Sequence, residues 1–293
     1  MFWLICGVQW LPNSLTLMNL LCGSAAIMLA SQGYLVHAAI LVMVGAFFDL
    51  IDGAVARALK VQSEVGKQLD SLADLVSFGV APAFLLYQLL RIAELPGFLP
   101  DGTSHLFIGE EQGYVFVDND KYAGLGGSLR LHHGLLEIAG IELELIHLLV
   151  ILLPAGAALR LARFNVAGNQ PSFSGLPTPA VGLFIASWVL GAEWAFNTEE
   201  AYEQVDWLLD STLILSVMAA LSLLMLLPLR MISMKFASAK WKQNKDRYSF
   251  IITAVLLGPL VLLINNPMLA LALIVVLYII VSVIFNLIRT DEV

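Results

Sequence analysis

Long apolar runs separated by brief polar punctuation set the pattern of this chain. Runs near 15–32, 35–53, 70–91, 144–162, 178–196, 209–229, 250–265 and 267–288 each approach the length of about 20 apolar residues that crosses a hydrocarbon layer as a helix. They predict eight transmembrane helices, with Asn265-Asn266-Pro267 as a tight turn between the last two. Upstream, Met1 to Trp10 is apolar and aromatic and holds no Lys or Arg. It therefore predicts a retained helix lying in the headgroup region rather than a cleaved leader. Pro12-Asn13-Ser14 predicts a break between that segment and the first span. The expected fold is an all-α integral membrane protein, with about eight transmembrane helices, an N-terminal interfacial helix and a single membrane-embedded domain over residues 1–293.

Composition agrees: 59% of the residues are hydrophobic, 13% are charged, and the mean hydropathy is +0.84, outside ordinary soluble usage. The few charges carry the orientation. With eight alternating spans, twelve of the fifteen basic residues fall on one side, leaving Arg91, Lys121 and Arg130 on the other. The positive-inside rule then makes the richer side cytoplasmic, together with both termini. The net charge of −8 arises largely on the opposite face, in acidic loops from Glu94 to Glu144 and from Glu193 to Asp210, and it gives no reason to expect nucleic acid. The long extracytoplasmic loop near 94–143 is rich in turn residues, so a small hairpin or irregular chain is expected there. Val115-Phe116-Val117 is its one strand-like fragment, and the adjacent His132 and His133 are read as solvated. Cys6 and Cys22 lack metal-ligand spacing and read as packing residues.

Against this background, four carboxylates stand where lipid would exclude them. Asp49 and Asp52 end one apolar run, and Asp70 and Asp74 begin the next. On helices, Asp49, Asp52 and Ala56 share one face at i, i+3 and i+7, and Asp70 and Asp74 share another at i, i+4. Two facing helices would converge four acids whose mutual repulsion asks for divalent cations. Oxygen-only ligands favour Mg2+, Mn2+ or Ca2+. Gly53 and Ala56 leave room for close approach of a phosphorylated ligand, and Arg57 is suited to phosphate oxygens. Farther on, Arg160 and Arg163 lie at i, i+3 near the end of the fourth expected span, as an anion clamp or as ordinary positive-inside anchors.

Together these residues spell D-x2-D-G-x2-A-R-x8-G-x3-D-x3-D from Asp49 to Asp74, and the sequence here resembles the CDP-alcohol phosphotransferase family. Pro12 to Thr16 resembles the entrance to that family's first helix. Asp70 to Pro82, Arg160 to Asn165 and Gly175 to Ala180 resemble its phosphatidylserine synthase branch. The resemblance implies a membrane-bound, metal-dependent enzyme that moves a phosphatidyl group from CDP-diacylglycerol to L-serine and releases CMP. It implies two Mg2+ or Mn2+ ions on Asp49, Asp52 and Asp70, and Asp74 as base, with Asp74 also part of the metal cluster. It further implies Gly53, Ala56, Arg57 and Gly66 around the CDP-diacylglycerol, and Arg160 and Arg163 toward the acceptor. A homodimer in the cell inner membrane, with its active site facing the cytoplasm and its substrate held among membrane lipid, is the family expectation.

Three other readings stand beside this one, the first within the same enzyme class. A sister transferase would use glycerol 3-phosphate, inositol phosphate or another alcohol. A divalent-cation transporter would also need acids, but near the bilayer middle, whereas these gather at one face. A membrane scaffold explains the hydrophobicity and leaves the spaced motif without a cause.

Overall fold

The structure is a computed structural model, and it describes residues 10–61, 63–93, 130–132, 135–138, 141–144, 147–167, 175–198, 204–229, 231 and 265–289. Its first element, α1, runs Trp10–Ser31, and α2 runs Leu35–Leu59. A continuous helical rod follows: α3 Glu64–Asp74, a π-helical segment Leu75–Val80, and α4 Ala81–Ala93. Next come three short strands, β1 Arg130–His132, β2 Leu135–Ile138 and β3 Ile141–Glu144. The 3-10 turn His147–Ile151 leads into α5, Leu152–Ala167. The rest comprises α6 Thr178–Asn197, α7 Gln204–Leu208, α8 Ser211–Leu226, a 3-10 turn Pro267–Leu269 and α9 Ala270–Arg289.

The protein is thus a multi-pass helical membrane protein. Among the described residues, six helical stretches are long and apolar enough to cross a membrane, and α8 is a shorter apolar helix of 16 residues. Of the eight expected spans, the one at 250–265 lies, but for its last residue, outside the described residues, as does the expected interfacial segment from Met1 to Gln9. At the expected turn after it, Asn265 adopts a left-handed φ of 52°.

Several boundaries move, each for a local reason. No break occurs at Pro12-Asn13-Ser14, because α1 already begins at Trp10. Pro12 then falls in the first helical turn, where a missing N–H removes no helical hydrogen bond. The rod starts at Glu64 rather than near 70, because the Ser63 side chain accepts a hydrogen bond from the Gly66 N–H at 3.0 Å and Glu64 suits the positive helix end. Helix α8 is trimmed at both ends: Asp210 accepts from the Leu213 N–H, and Leu227 is extended ahead of Pro228. The loop holds an antiparallel meander, β1-β2-β3, that pairs Leu131 with Leu136 and Leu136 with Leu143. The fragment Val115–Val117 lies outside the described residues.

Helix α6 and the α3–α4 rod form the interior of the bundle. Each has 61% of its apolar window buried, against 28–33% for the other candidate spans. Helix α6 touches α2, the π segment, α4, α7 and α9. Helices α1 and α2 pack closely, and Ala26 and Ala30 on the first and Ala38 and Ala39 on the second are essentially inaccessible. Small side chains suit helix pairs in lipid, where close backbone approach supplies the dispersion contacts that hold the pair together. Leu21, Met28, Phe47 and Leu50 remain exposed on the outer faces, as a lipid solvent permits.

Helix α1 and the π segment approach each other closely. A Cβ on Gly23 would stand 2.6 Å from the Ser77 Cα, a main-chain atom that cannot rotate away. Gly23→Ala is therefore expected to destabilise the bundle by about 1–3 kcal/mol through overpacking, read as a lower melting temperature in detergent. An unchanged melting temperature would mean that α1 and the π segment have slack between them.

Candidate functional site

The sequence places Asp49 and Asp52 near the end of α2, and Asp70 and Asp74 on α3, and the fold brings these two helix ends against α1. Carboxylate oxygens of Asp49, Asp70 and Asp74 all lie within 4.8 Å of one another. Asp74 is buried, while Asp49 and Asp70 are half-buried. Asp52 is buried but stands outside this group of three: the Thr16 hydroxyl on α1 donates to its Oδ2 at 2.5 Å. Three residues along α1, Asn19 Nδ2 donates to Asp74 Oδ1 at 3.4 Å.

Three anionic groups this close, at the border of a low-dielectric bundle, repel one another strongly unless a cation intervenes. The donor set is hard oxygen alone, which fits a divalent ion of the Mg2+, Mn2+ or Ca2+ kind. The three aspartates can hold such an ion, and no second cluster of this kind occurs among the described residues.

Around the acids the surface is open and small. Gly53, Ala56 and Gly66 are half-buried, and Arg57 is exposed. A Cβ at position 53 would sit 3.2 Å from Arg57 Nη1, so the missing side chain lets the guanidinium fold back over α2 beside the acids. A Cβ at Gly66 would lie 3.0 Å from Asn13 Oδ1, which puts the start of α1 beside the start of α3. Helix α2 closes at Lys60, which takes a left-handed φ of 54° and donates its N–H back to the last turn. That turn reverses the chain toward Ser63 and α3.

The two arginines of α5 take different partners. Arg160 is buried and donates from Nη1 to Thr178 Oγ1 on α6 at 3.3 Å, while its Nε has no hydrogen-bond partner among the described residues. Arg163 is exposed and donates to the Leu226 carbonyl at the end of α8, 3.1 Å away. The i, i+3 spacing thus does not yield one shared clamp, because each guanidinium is drawn to a different neighbouring helix.

The same helix end clasps α3. Asn165 Nδ2 donates to Ser71 Oγ at 2.9 Å and to Gln68 Oε1 at 3.3 Å, and Lys67 Nζ donates to the Asn165 carbonyl at 3.2 Å. Lys67 also lies 6.0 Å from the Phe164 ring centre. Sequence reasoning gave no role to Thr16, Asn19, Ser71 or Thr178. The available signal was a pair of polar residues one turn apart within an apolar span, Thr16 and Asn19.

A carboxylate cluster framed by small residues and an arginine at the end of membrane helices defines a membrane enzyme or transporter site for a cation and an anionic ligand. Residues 9–100 match the family model for CDP-alcohol phosphatidyltransferase. The chain is 28% identical over 205 residues to the CDP-diacylglycerol–serine O-phosphatidyltransferase of Mycobacterium leprae, covering 66% of this chain and 52% of that protein. It is 40% identical over 80 residues to the protein of the same name in Bacillus subtilis, covering 27% and 45%. To the archaetidylserine synthase of Methanothermobacter thermautotrophicus it is 30% identical over 185 residues, covering 61% and 58%. The matches thus span about half the length of these curated relatives.

Proposed function

We propose that this protein transfers a phosphatidyl group from CDP-diacylglycerol to L-serine, giving phosphatidylserine and CMP. The observation that carries the reading is the convergence of Asp49, Asp70 and Asp74 at the end of the α2–α3 pair, within the stretch that matches the family. The names of the relatives support the donor and the acceptor.

Asp49, Asp52 and Asp70, with Asp74 beside them, would hold two Mg2+ or Mn2+ ions. Such ions, when bound, neutralise the diphosphate and the charge that grows on departing CMP. Gly53, Ala56 and Gly66 leave room for the nucleotide, and Arg57 holds phosphate oxygens. Asp74 takes the proton from the serine hydroxyl as that oxygen bonds to the phosphorus carrying the diacylglyceryl group. The bond from this phosphorus to the bridging oxygen breaks, and CMP departs with the electron pair. Arg160, buried with an Nε that has no partner among the described residues, draws the serine carboxylate, while Arg163 helps neutralise the same rim. The reading includes a cytoplasmic site and cytoplasmic termini in the cell inner membrane, and a homodimer.

Purified protein in detergent, supplied with CDP-diacylglycerol and a panel of alcohols, tests donor and acceptor together when CMP and the lipid product are both followed. Serine is expected to give phosphatidylserine, and another alcohol giving the faster product would move the acceptor. Excess chelator is expected to abolish CMP release, with Mg2+ or Mn2+ restoring it, since phosphate and carboxylate charges would otherwise face one another. Undiminished turnover in chelator would remove the metal from the reading.

A further inference from the structure

Asn19 is wholly buried in α1, with 0% of its surface exposed, and a buried amide needs partners for both its carbonyl and its NH2. Its contacts reach every element that brings the acids together. Nδ2 donates to Asp74 Oδ1 at 3.4 Å, a long bond of the kind catalytic groups show before substrate arrives. The main-chain carbonyl of Asn19 accepts from Ser77 Oγ at 2.9 Å, and Ser77 belongs to the π segment that begins directly after Asp74. Its Oδ1 has no hydrogen-bond partner among the described residues and lies 3.0 Å from where a Cβ on Gly45 would stand, four residues before Asp49 on α2.

Packing alone does not call for an amide here. An apolar side chain of similar size would fill the same space without leaving a buried acceptor unpaired. Thr16, one turn earlier on the same helix, holds Asp52 by the same device. The π segment adds a reason. Its hydrogen bonds reach one residue farther than those of an α-helix, as in Ala81 N–H to the Val76 carbonyl, so the α-helical register of α3 does not continue past Asp74.

We propose that Asn19 is a positioning residue for Asp74: its NH2 sets the orientation of that carboxylate, and its main-chain bond to Ser77 sets the height of the π segment behind it. The inference rests on the reading of Asp74 as the base.

The test uses full-length protein in detergent with CDP-diacylglycerol, Mg2+ and the alcohol that best supports CMP release. Asn19→Ala is expected to lower kcat by about tenfold to 10²-fold, the scale of a small misplacement of a reacting group. Donor KM and donor affinity by titration should stay within about threefold. Asn19→Ser, which keeps a donor, should recover part of the loss. In an Asp74→Asn background, adding Asn19→Ala should lower the residual rate no further, because its effect passes through the missing carboxylate. The same fractional loss in both backgrounds, or donor affinity falling together with kcat, would overturn the proposal.

Should Asn19→Ala show no melting transition, Gly45→Ala takes its place, since its methyl presses on Asn19 Oδ1 without removing the amide. A loss confined to kcat then supports the proposal, and an equal loss of donor affinity overturns it. An unmodified protein that releases CMP with no alcohol counts against the transferase reading itself, whereas an active protein with fully active Asn19 variants counts against Asn19 alone.

Discussion

Asp74→Asn is expected to bind CDP-diacylglycerol and Mg2+ and yet lose about 10²- to 10⁴-fold of its transfer rate, the usual cost of a missing general base. The amide keeps the size of the side chain, so the buried packing around it survives. It cannot accept the alcohol proton. Of the three converging acids, Asp74 is the most deeply buried and the one that receives the Asn19 hydrogen bond, which suits a group whose orientation matters more than its access to water. Donor titration beside CMP release separates the two roles. If Asp74→Asn loses donor binding as severely as Asp49→Asn, Asp74 is a metal ligand and some other group takes the proton.

For Asp49→Asn the opposite pattern is expected: Mg2+-dependent donor affinity weakens by at least about tenfold, equivalent to about 1.4 kcal/mol, while the metal-free protein melts no lower than the parent. Removing one of three mutually repelling carboxylates relieves the apoprotein and deprives the cation of a ligand. Asp52→Asn should also weaken donor binding, while its amide oxygen can still accept from the Thr16 hydroxyl, so the melting temperature should change little. Unaltered donor affinity in Asp49→Asn at saturating Mg2+ would take Asp49 out of the metal site.

The helices and the acids were legible in the chain because both depend on local rules. Lipid demands apolar runs of fixed length, and helical spacing puts Asp49 near Asp52 and Asp70 near Asp74 whatever surrounds them. What the sequence hid was the choice among neighbours. Nothing local says that Asp52 turns to Thr16 while Asp49 joins Asp70 and Asp74, because that division depends on where α1 lies. Arg160 and Arg163 look like a pair along one helix, yet α6 and α8 each claim one of them. The Ser63 start signal stood in plain view and was missed. The small hairpin expected in the loop is present, and its place at Leu135–Ile138 and Ile141–Glu144, separated by two residues, could have been read from the chain.

The rod from Glu64 to Ala93 is 30 residues long, about 45 Å at the helical rise per residue, whereas the hydrocarbon layer is about 30 Å thick. Its apolar part, Leu75–Ala93, measures about 28 Å and by itself matches the layer. A layer filled by Leu75–Ala93 would put Asp74 at the plane where acyl chains give way to headgroups, and Asp70 one turn beyond it. On the proposed function, a lipid donor would present its phosphates at that plane without leaving its own leaflet, while a water-soluble alcohol would arrive from the other side. The helix acts as a depth gauge, and a bilayer made thinner or thicker would shift the lipid phosphates against the acids even if no residue of the protein changed.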